Sequence, residues 1–387
     1  MTKVNCGVSH GGRPNGSDWL TSEQLARDMK ELHLGDSVVM VWPAPRRPCD
    51  VCFPRIEICR YPMRTSLPPG LRFGRYVLSD RLGSGHFGEV FSGVNSATGD
   101  PVAVKVEPED ISKPRLPREA RVYQELGARA APRLRWFGRA HGYLALVMDR
   151  LGASVRSAHR SSGMRMSVSA VRQVGLQALD RLEVLHTAGW LHLDVKPANL
   201  LLPAGSTADG AAELTAGGAG PISIHLVDYG LARRWRELET GAHTPAARRR
   251  GVVGTGRFAS LSNHLGEPLG RRDDLEALGL TLAFLRTGRL PWSSPEAPTK
   301  AERFALMLES KQRTSVEELG SGLPPSFTEF MHVTRGLSYD ELPDYRRLRR
   351  LLGALGESRE AKLDRQRKTD RGTRLAKATG IKGNCAV

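Results

Sequence analysis

"HLDVKPANLL", residues 192–201, places a carboxylate, an amine and an amide at fixed offsets, Asp194, Lys196 and Asn199, and runs into leucines of the kind found in a buried strand. A carboxylate so placed can accept or orient the proton of an attacking hydroxyl. An amine two residues later can neutralise charge on a transferred phosphoryl group, and an amide oxygen can ligate a metal ion. Further along, "LVDYG" at 226–230 supplies a second candidate metal ligand, Asp228, at the end of an apolar strand. Magnesium prefers such hard oxygen ligands, with phosphate oxygens completing its shell.

Upstream, "LGSGHFGEV" (82–90) sets Gly83, Gly85 and Gly88 in a GxGxxGxV pattern inside an expected strand pair. Glycines let the backbone approach phosphate closely and turn its amides toward the oxygens. Alone, the pattern fits a plain glycine-rich hairpin equally well. Lys105, in "VAVK" on the following strand, changes the balance, because an amine among apolar neighbours suits holding phosphates from one side of a cleft. Such a lysine needs a carboxylate partner. Glu119, Val122, Tyr123 and Leu126 follow the i, i+3, i+4, i+7 spacing, so Glu119 falls on the packing face of a helix. Glu125, about 240° further around at 3.6 residues per turn, points elsewhere. The plainer alternative for Glu119 is an exposed helix carboxylate.

The segments between these motifs predict their scaffold. "YVLSDRLGSGHFGEVFSGVN", "PVAVKVE" and "YLALVMD" read as strands, whereas 116–126 and "VRQVGLQALDRLEVLH" at 171–186 read as helices. The expectation is an α+β fold of two lobes, a small β-rich one over 73–149 and a larger helical one over 150–354. Residues 1–72, rich in Gly, Pro and Arg, read as a weakly ordered extension with one short helical candidate from Ser22 to Leu34. "PAGSTADGAAELTAGGAGP" (203–221) reads as a flexible insertion, and 355–387 as a basic disordered tail with nine Lys or Arg against four Asp or Glu.

Composition bounds the function. The net charge of +16 over 387 residues favours phosphate-rich or acidic partners, but no nucleic-acid-binding motif accompanies it. The longest apolar run near the start, "VVMVW" at 38–42, is far too short to span a bilayer or serve as a signal-peptide core. A cytoplasmic or nuclear location and a monomeric chain are expected. Five cysteines do not make a disulfide framework. Cys49, Cys52 and Cys59 form C-x2-C-x6-C without the fourth ligand that tetrahedral zinc needs. "NCAV" is not a prenylation box, because Cys385 is third from the end.

Taken in order, "RLGSGHFGEVFSG", "VAVKVE", "VMDRLGASV", "HLDVKPANLLL", "DYGLARRW", "GTGRFASLSNHLG", "RRDDLEALG", "GRLPW" and "LPDYRRLRRLL" resemble a eukaryotic protein kinase, and specifically the casein kinase I family. The most specific element is "GTGRFASLSNHLGEPLGRRDDLEALG" (254–279), where most other protein kinases carry an Ala-Pro-Glu motif. The resemblance implies a protein kinase domain over 73–354 with the bilobal protein-kinase fold, using ATP and Mg2+. It implies Lys105 and Glu119 as an ion pair, Asp194 as catalytic base with Lys196 beside it, Asn199 and Asp228 as metal ligands, and Asp274 as a brace for the catalytic loop. For ATP it implies Gly83, Gly85, Gly88, Val90, Ala103 and Lys105, with backbone groups of Asp149 and Leu151 beside Met148 holding adenine. Lys196 with Thr255 implies serine or threonine, not tyrosine, as acceptor.

Three positions depart from the family: Leu193 for an arginine, Tyr229 for a phenylalanine, and Ser262 for an asparagine. The arginine pairs in many kinases with a phosphorylated activation loop, so its loss points to an enzyme needing no such phosphorylation. The resemblance also places Arg250, Arg257 and Lys300 at a basic anion site for substrate phosphate, which guanidinium groups grip through paired hydrogen bonds. A solvated basic surface containing "RRR" (248–250) is the alternative. The function expected is a serine/threonine kinase acting on acidic or phosphate-primed proteins. A pseudokinase scaffold and a small-molecule phosphotransferase are the competing classes, the second disfavoured by Lys196 and "GTGRFAS".

Overall fold

The computed structural model describes residues 30–34, 37–41, 67–85, 88–207, 223–237, 239–248, 251–293 and 295–356. The chain divides into two compact units, Met1–Met63 and Arg64–Val387. In the first, β1 (Lys30–Leu34) pairs antiparallel with β2 (Ser37–Val41). This corrects the helix expected over Ser22 to Leu34, whose last five residues are strand. The register from Leu34↔Ser37 to Lys30↔Val41 gives them a partner in the β-branched "SVVMV" run, which outweighs helical spacing. The rest of that candidate, Cys49, Cys52 and Cys59, most of the 203–221 insertion and nearly all of the tail lie outside the described residues.

The second unit opens with an antiparallel sheet of order β3-β4-β5-β6-β8-β7. Its strands are β3 (Arg72–Phe73), β4 (Tyr76–Gly85), β5 (Gly88–Asn95), β6 (Pro101–Pro108), β7 (Leu134–Ala140) and β8 (Tyr143–Asp149). Alternation along β6 sends Val102, Val104 and Val106 into one core with Phe91, Ala145 and Val147. It turns Ala103, Lys105 and Glu107 to the other face. There the register sets Val90 opposite Lys105 and Ala103 opposite Met148, so the expected nucleotide residues of three strands share one face.

Helix α1 (Leu116–Ala130) packs on that face with Leu116, Ala120, Val122 and Tyr123 buried, and Gly127, at φ +64°, breaks it one residue after the expected end. Its N-cap residue, Arg115, gives no side-chain cap. Glu107 supplies one from β6, its carboxylate accepting from the amides of Arg115 at 2.9 Å and Leu116 at 2.9 Å. The remainder is helical around a large core: α2 (Val155–Ser161), α3 (Val168–Thr187), α4 (Leu261–His264), α5 (Arg271–Thr287), α6 (Lys300–Arg313), α7 (Val316–Leu319), α8 (Pro325–Gly336) and α9 (Tyr345–Gly353). Two small antiparallel pairings flank the 192–201 and 226–230 segments, β9 (Trp190–Leu191) with β12 (Arg233–Arg234), and β10 (Leu200–Leu201) with β11 (His225–Leu226). Among the described residues no helix is long and apolar enough to cross a membrane.

Candidate active site

Lys105 and Glu119 meet as expected, Nζ to Oε2 at 2.6 Å, and Asp228 Oδ1 takes a second Nζ proton at 2.7 Å. Burial works against the ammonium, but the Glu119 and Asp228 carboxylates outweigh it and hold the Lys105 pKa above its ordinary value. An ammonium has three protons. The third is left for an anion in the cleft. Glu125 points away from this pair, as the helical count required.

The 192–201 loop is fixed by a network of buried acceptors. Asp274, wholly buried at the start of α5, accepts from the amides of His192 and Leu193 at 2.7 Å each and from His186 Nε2 at 2.9 Å. Asp194 N donates to His192 Nδ1, so the opposite ring nitrogen carries the proton it gives to Val227 O at 3.0 Å, one residue before Asp228. Asp194 itself accepts from Thr255 N at 2.8 Å on one oxygen and from Lys196 Nζ at 2.6 Å on the other. Lys196 also donates to Thr255 Oγ1 at 2.9 Å. Asn199 Nδ2 donates to the Asp194 carbonyl at 3.0 Å.

Two glycines are required by close approach. A Cβ on Gly88, at φ +130°, would lie 2.1 Å from Val106 O, so only glycine lets β5 close over β6 there. A Cβ on Gly254, at φ +77°, would lie 2.3 Å from Leu193 O and 3.0 Å from Asp194 Oδ1. Gly83 and Gly85 lie in β4, paired with Val90 and Gly88. At the end of β8 the Asp149 amide is committed to Arg133 O at 3.1 Å and its carboxylate to Arg135 Nε at 2.5 Å. Leu151, two residues on, is half-buried.

The departures from the resembled pattern have structural counterparts. Leu193 is buried with Leu191 and Leu269, and Trp235 and Val253 pack against them. Trp235 Nε1 donates to His186 O at 2.8 Å, and Arg271 stacks 3.8 Å from its ring. The Tyr229 hydroxyl donates to Leu226 O at 2.9 Å, and its ring packs edge-on against Tyr123 of α1. Beside Ser262, Asn263 makes both amide hydrogen bonds to the Val253 backbone, at 3.0 and 2.9 Å.

The expected anion site is only partly placed. Arg250 and the side chain of Lys300 lie outside the described residues. Arg257 Nη2 donates to Ser293 O at 2.7 Å, and its guanidinium lies 5.9 Å from the Phe284 ring, which His159 of α2 also meets at 5.0 Å. Burial, and then the charges of Arg160 and Arg257, lower the Arg156 pKa. Arg156 therefore feels the charge of Arg257 as well as that of Arg160, its i+4 neighbour on α2, a spacing that was the signal available in the sequence. Lys311, also not expected, is a buried amine donating to Gly256 O at 3.0 Å and to Ala259 O, with its pKa pushed down by burial to about 7.

Residues 76–334, well over half of the chain, match the family model of the protein kinase domain. The chain belongs to that family. A protein kinase domain transfers phosphate to protein substrates and generally uses ATP with Mg2+. The residues fit both groups: Lys105 keeps one proton for a phosphate, Asp228 lies beside it, and Asn199, held against Asp194, offers a second hard oxygen donor. The bilobal α+β kinase fold read from the sequence is the one present.

Proposed function

We propose that this kinase is catalytically competent, of casein kinase I type, and phosphorylates serine or threonine in acidic or phosphate-primed proteins. The observation that carries this is the convergence on Asp194, whose two oxygens are oriented by Thr255 N and by Lys196 and whose side chain is buried. ATP with Mg2+, when bound, supplies the γ-phosphoryl group and neutralises developing charge. Lys105, held by Glu119, fixes phosphate position, while Asn199 and Asp228 offer metal ligands and Gly83, Gly85 and Gly88 bring backbone amides close. Val90, Ala103 and the backbone around Asp149 and Leu151 line the adenine side. Asp194 takes the hydroxyl proton as the oxygen attacks the γ-phosphorus, the bond from that phosphorus to the bridging oxygen breaks to release ADP, and Lys196 steadies the transferring group. The Lys196–Thr255 contact supports a small aliphatic hydroxyl as acceptor. Mixing the purified chain with labelled Mg-ATP and serine, threonine and tyrosine peptides tests the reading.

The pseudokinase alternative would be favoured by a missing base, lysine or metal ligand, and all are present. A monomeric protein acting in the cytoplasm or nucleus is part of the same proposal.

Regulation follows from Leu193. Where an arginine would await a phosphate, this chain packs leucine against Trp235 and Val253 of the segment between "DYG" and "GTG". The segment is thereby seated by apolar burial, which needs no modification. Phosphatase-treated enzyme is expected to keep most of its activity. A large loss restored by rephosphorylation between Tyr229 and Ser260 would overturn this.

Substrate choice rests on Arg250, Arg257 and Lys300. Exposed charges are screened beyond about 8 Å at physiological ionic strength, so a dianionic phosphate should be preferred most strongly at low salt. Arg257→Ala is expected to raise KM for a peptide carrying phosphoserine before the target, with little change for the unprimed peptide. Equal effects on both would mean that Arg257 serves only to tie its segment to Ser293.

A further inference from the structure

Glu125 lies off the packing stripe of α1, yet donors from both catalytic segments converge on its carboxylate. One terminal nitrogen of Arg234 reaches both oxygens at 2.5 Å, Trp190 Nε1 donates at 2.8 Å, and Arg121 Nε, one turn back, at 3.0 Å. Arg234 also donates to Ala188 O at 3.0 Å and stacks 4.1 Å from the Trp190 ring. Trp190 and Arg234 face each other across the β9–β12 pair. β9 leads directly into His192–Asp194, and β12 follows Asp228–Gly230. A single carboxylate on α1 thus ties the helix to the entry of the catalytic loop and to the exit of the Asp228 turn.

Glu119 stands six residues earlier on the same helix, about 9 Å along it. A rigid helix held at two points cannot rotate. Glu107 of β6 holds the N-terminal end through the Arg115 and Leu116 amides, and Glu125 holds the next two turns from the larger lobe. The Glu125 side chain is 31% exposed and that of Arg234 18%, so the pair is less screened than a fully solvated one.

We propose that Glu125 is a positioning residue. Through Arg234 and Trp190 it clamps α1 in the rotation that brings Glu119 to Lys105, so this pair forms without a phosphate on the activation segment. The inference rests on the reading of Lys105 as the residue that positions ATP phosphates.

The test compares full-length wild type, Glu125→Ala and Glu125→Gln, alone and in a Glu119→Gln background. Steady-state kinetics for ATP and peptide, the Kd of a fluorescent ATP analogue and the thermal midpoint are measured for each. Glu125→Ala is expected to lower kcat/KM for ATP about tenfold and leave peptide KM unchanged. Glu125→Gln, whose one amide oxygen can still accept from Trp190 and Arg234 while its NH2 must face Arg121, should lose less than Glu125→Ala. In the Glu119→Gln background Glu125→Ala should add less than twofold, because its effect passes through that carboxylate. A tenfold loss in both backgrounds, equal rises in both KM values, or no loss at all would overturn the clamp. If Glu125→Ala does not fold, Trp190→Phe, which removes one donor, must give a smaller loss of the same selectivity. Wild type that transfers no phosphate would instead sink the functional reading, and the Kd of the ATP analogue across the variants would then decide the clamp.

Discussion

Asp194→Asn is expected to lower turnover by about 10²–10⁴-fold, the range associated with a positioned general base, while leaving the Kd of a nucleotide analogue within threefold. Both Asp194 oxygens accept hydrogen bonds, one from Thr255 N and the other from Lys196 and Asn199. An asparagine offers one acceptor oxygen, so its amide must face a donor on one side. The variant loses the proton acceptor and part of the geometry that aims it. Among the described residues the Asp194 carboxylate bonds to Thr255, Lys196 and Asn199 and not to Lys105 or Glu119, which is why nucleotide affinity should survive. Wild-type turnover in Asp194→Asn would remove the base from the account.

The second large effect is expected from Gly254→Ala. One methyl group there would meet Leu193 O at 2.3 Å and Asp194 Oδ1 at 3.0 Å, and the φ of +77° is itself unfavourable for alanine. The segment 254–256 must retreat, carrying Thr255 away from Asp194 and Lys196. A misplacement of about 1 Å in such an assembly costs on the order of 10²-fold in rate. The expected pattern is a folded protein, unchanged nucleotide Kd and kcat down about a hundredfold. Wild-type kcat would show that the Thr255–Asp194 contact does not matter for turnover.

What could be seen in the sequence was what short-range spacing encodes. Glu119 was identifiable because four residues at helical spacing defined a buried face, and Lys105 because it sits in an alternating strand after a glycine hairpin. Periodicity gave the faces of both residues, and the packing of α1 on the sheet brings them to 2.6 Å. Glu125 was readable only as pointing elsewhere, since helical angle gives no partner. Its ties to Trp190 and Arg234 depend on how two distant strands pair. Lys311 was invisible for a related reason: a lysine in an otherwise amphipathic helix reads as surface until the carbonyls of Gly256 and Ala259 are seen to receive it. The 30–34 strand failed as a helix because helical spacing in a short segment is weaker than an available β-partner. Arg156 and Arg160 carried the spacing of a common helix face, but spacing alone could not show that α2 and Arg257 meet the same Phe284 ring, which His159 and Arg257 both contact.

We propose that this kinase transfers phosphate to hydroxyl groups of serine or threonine without prior phosphorylation of its activation segment. The direct measurement is transfer of label from γ-labelled Mg-ATP by phosphatase-treated protein to matched serine, threonine and tyrosine peptides, with Asp194→Asn as the blank. Label is expected on serine and threonine and none on tyrosine, at a rate at least a hundredfold above the blank. Nucleotide binding with transfer no faster than the Asp194→Asn blank would contradict it and leave a nucleotide-binding scaffold in its place.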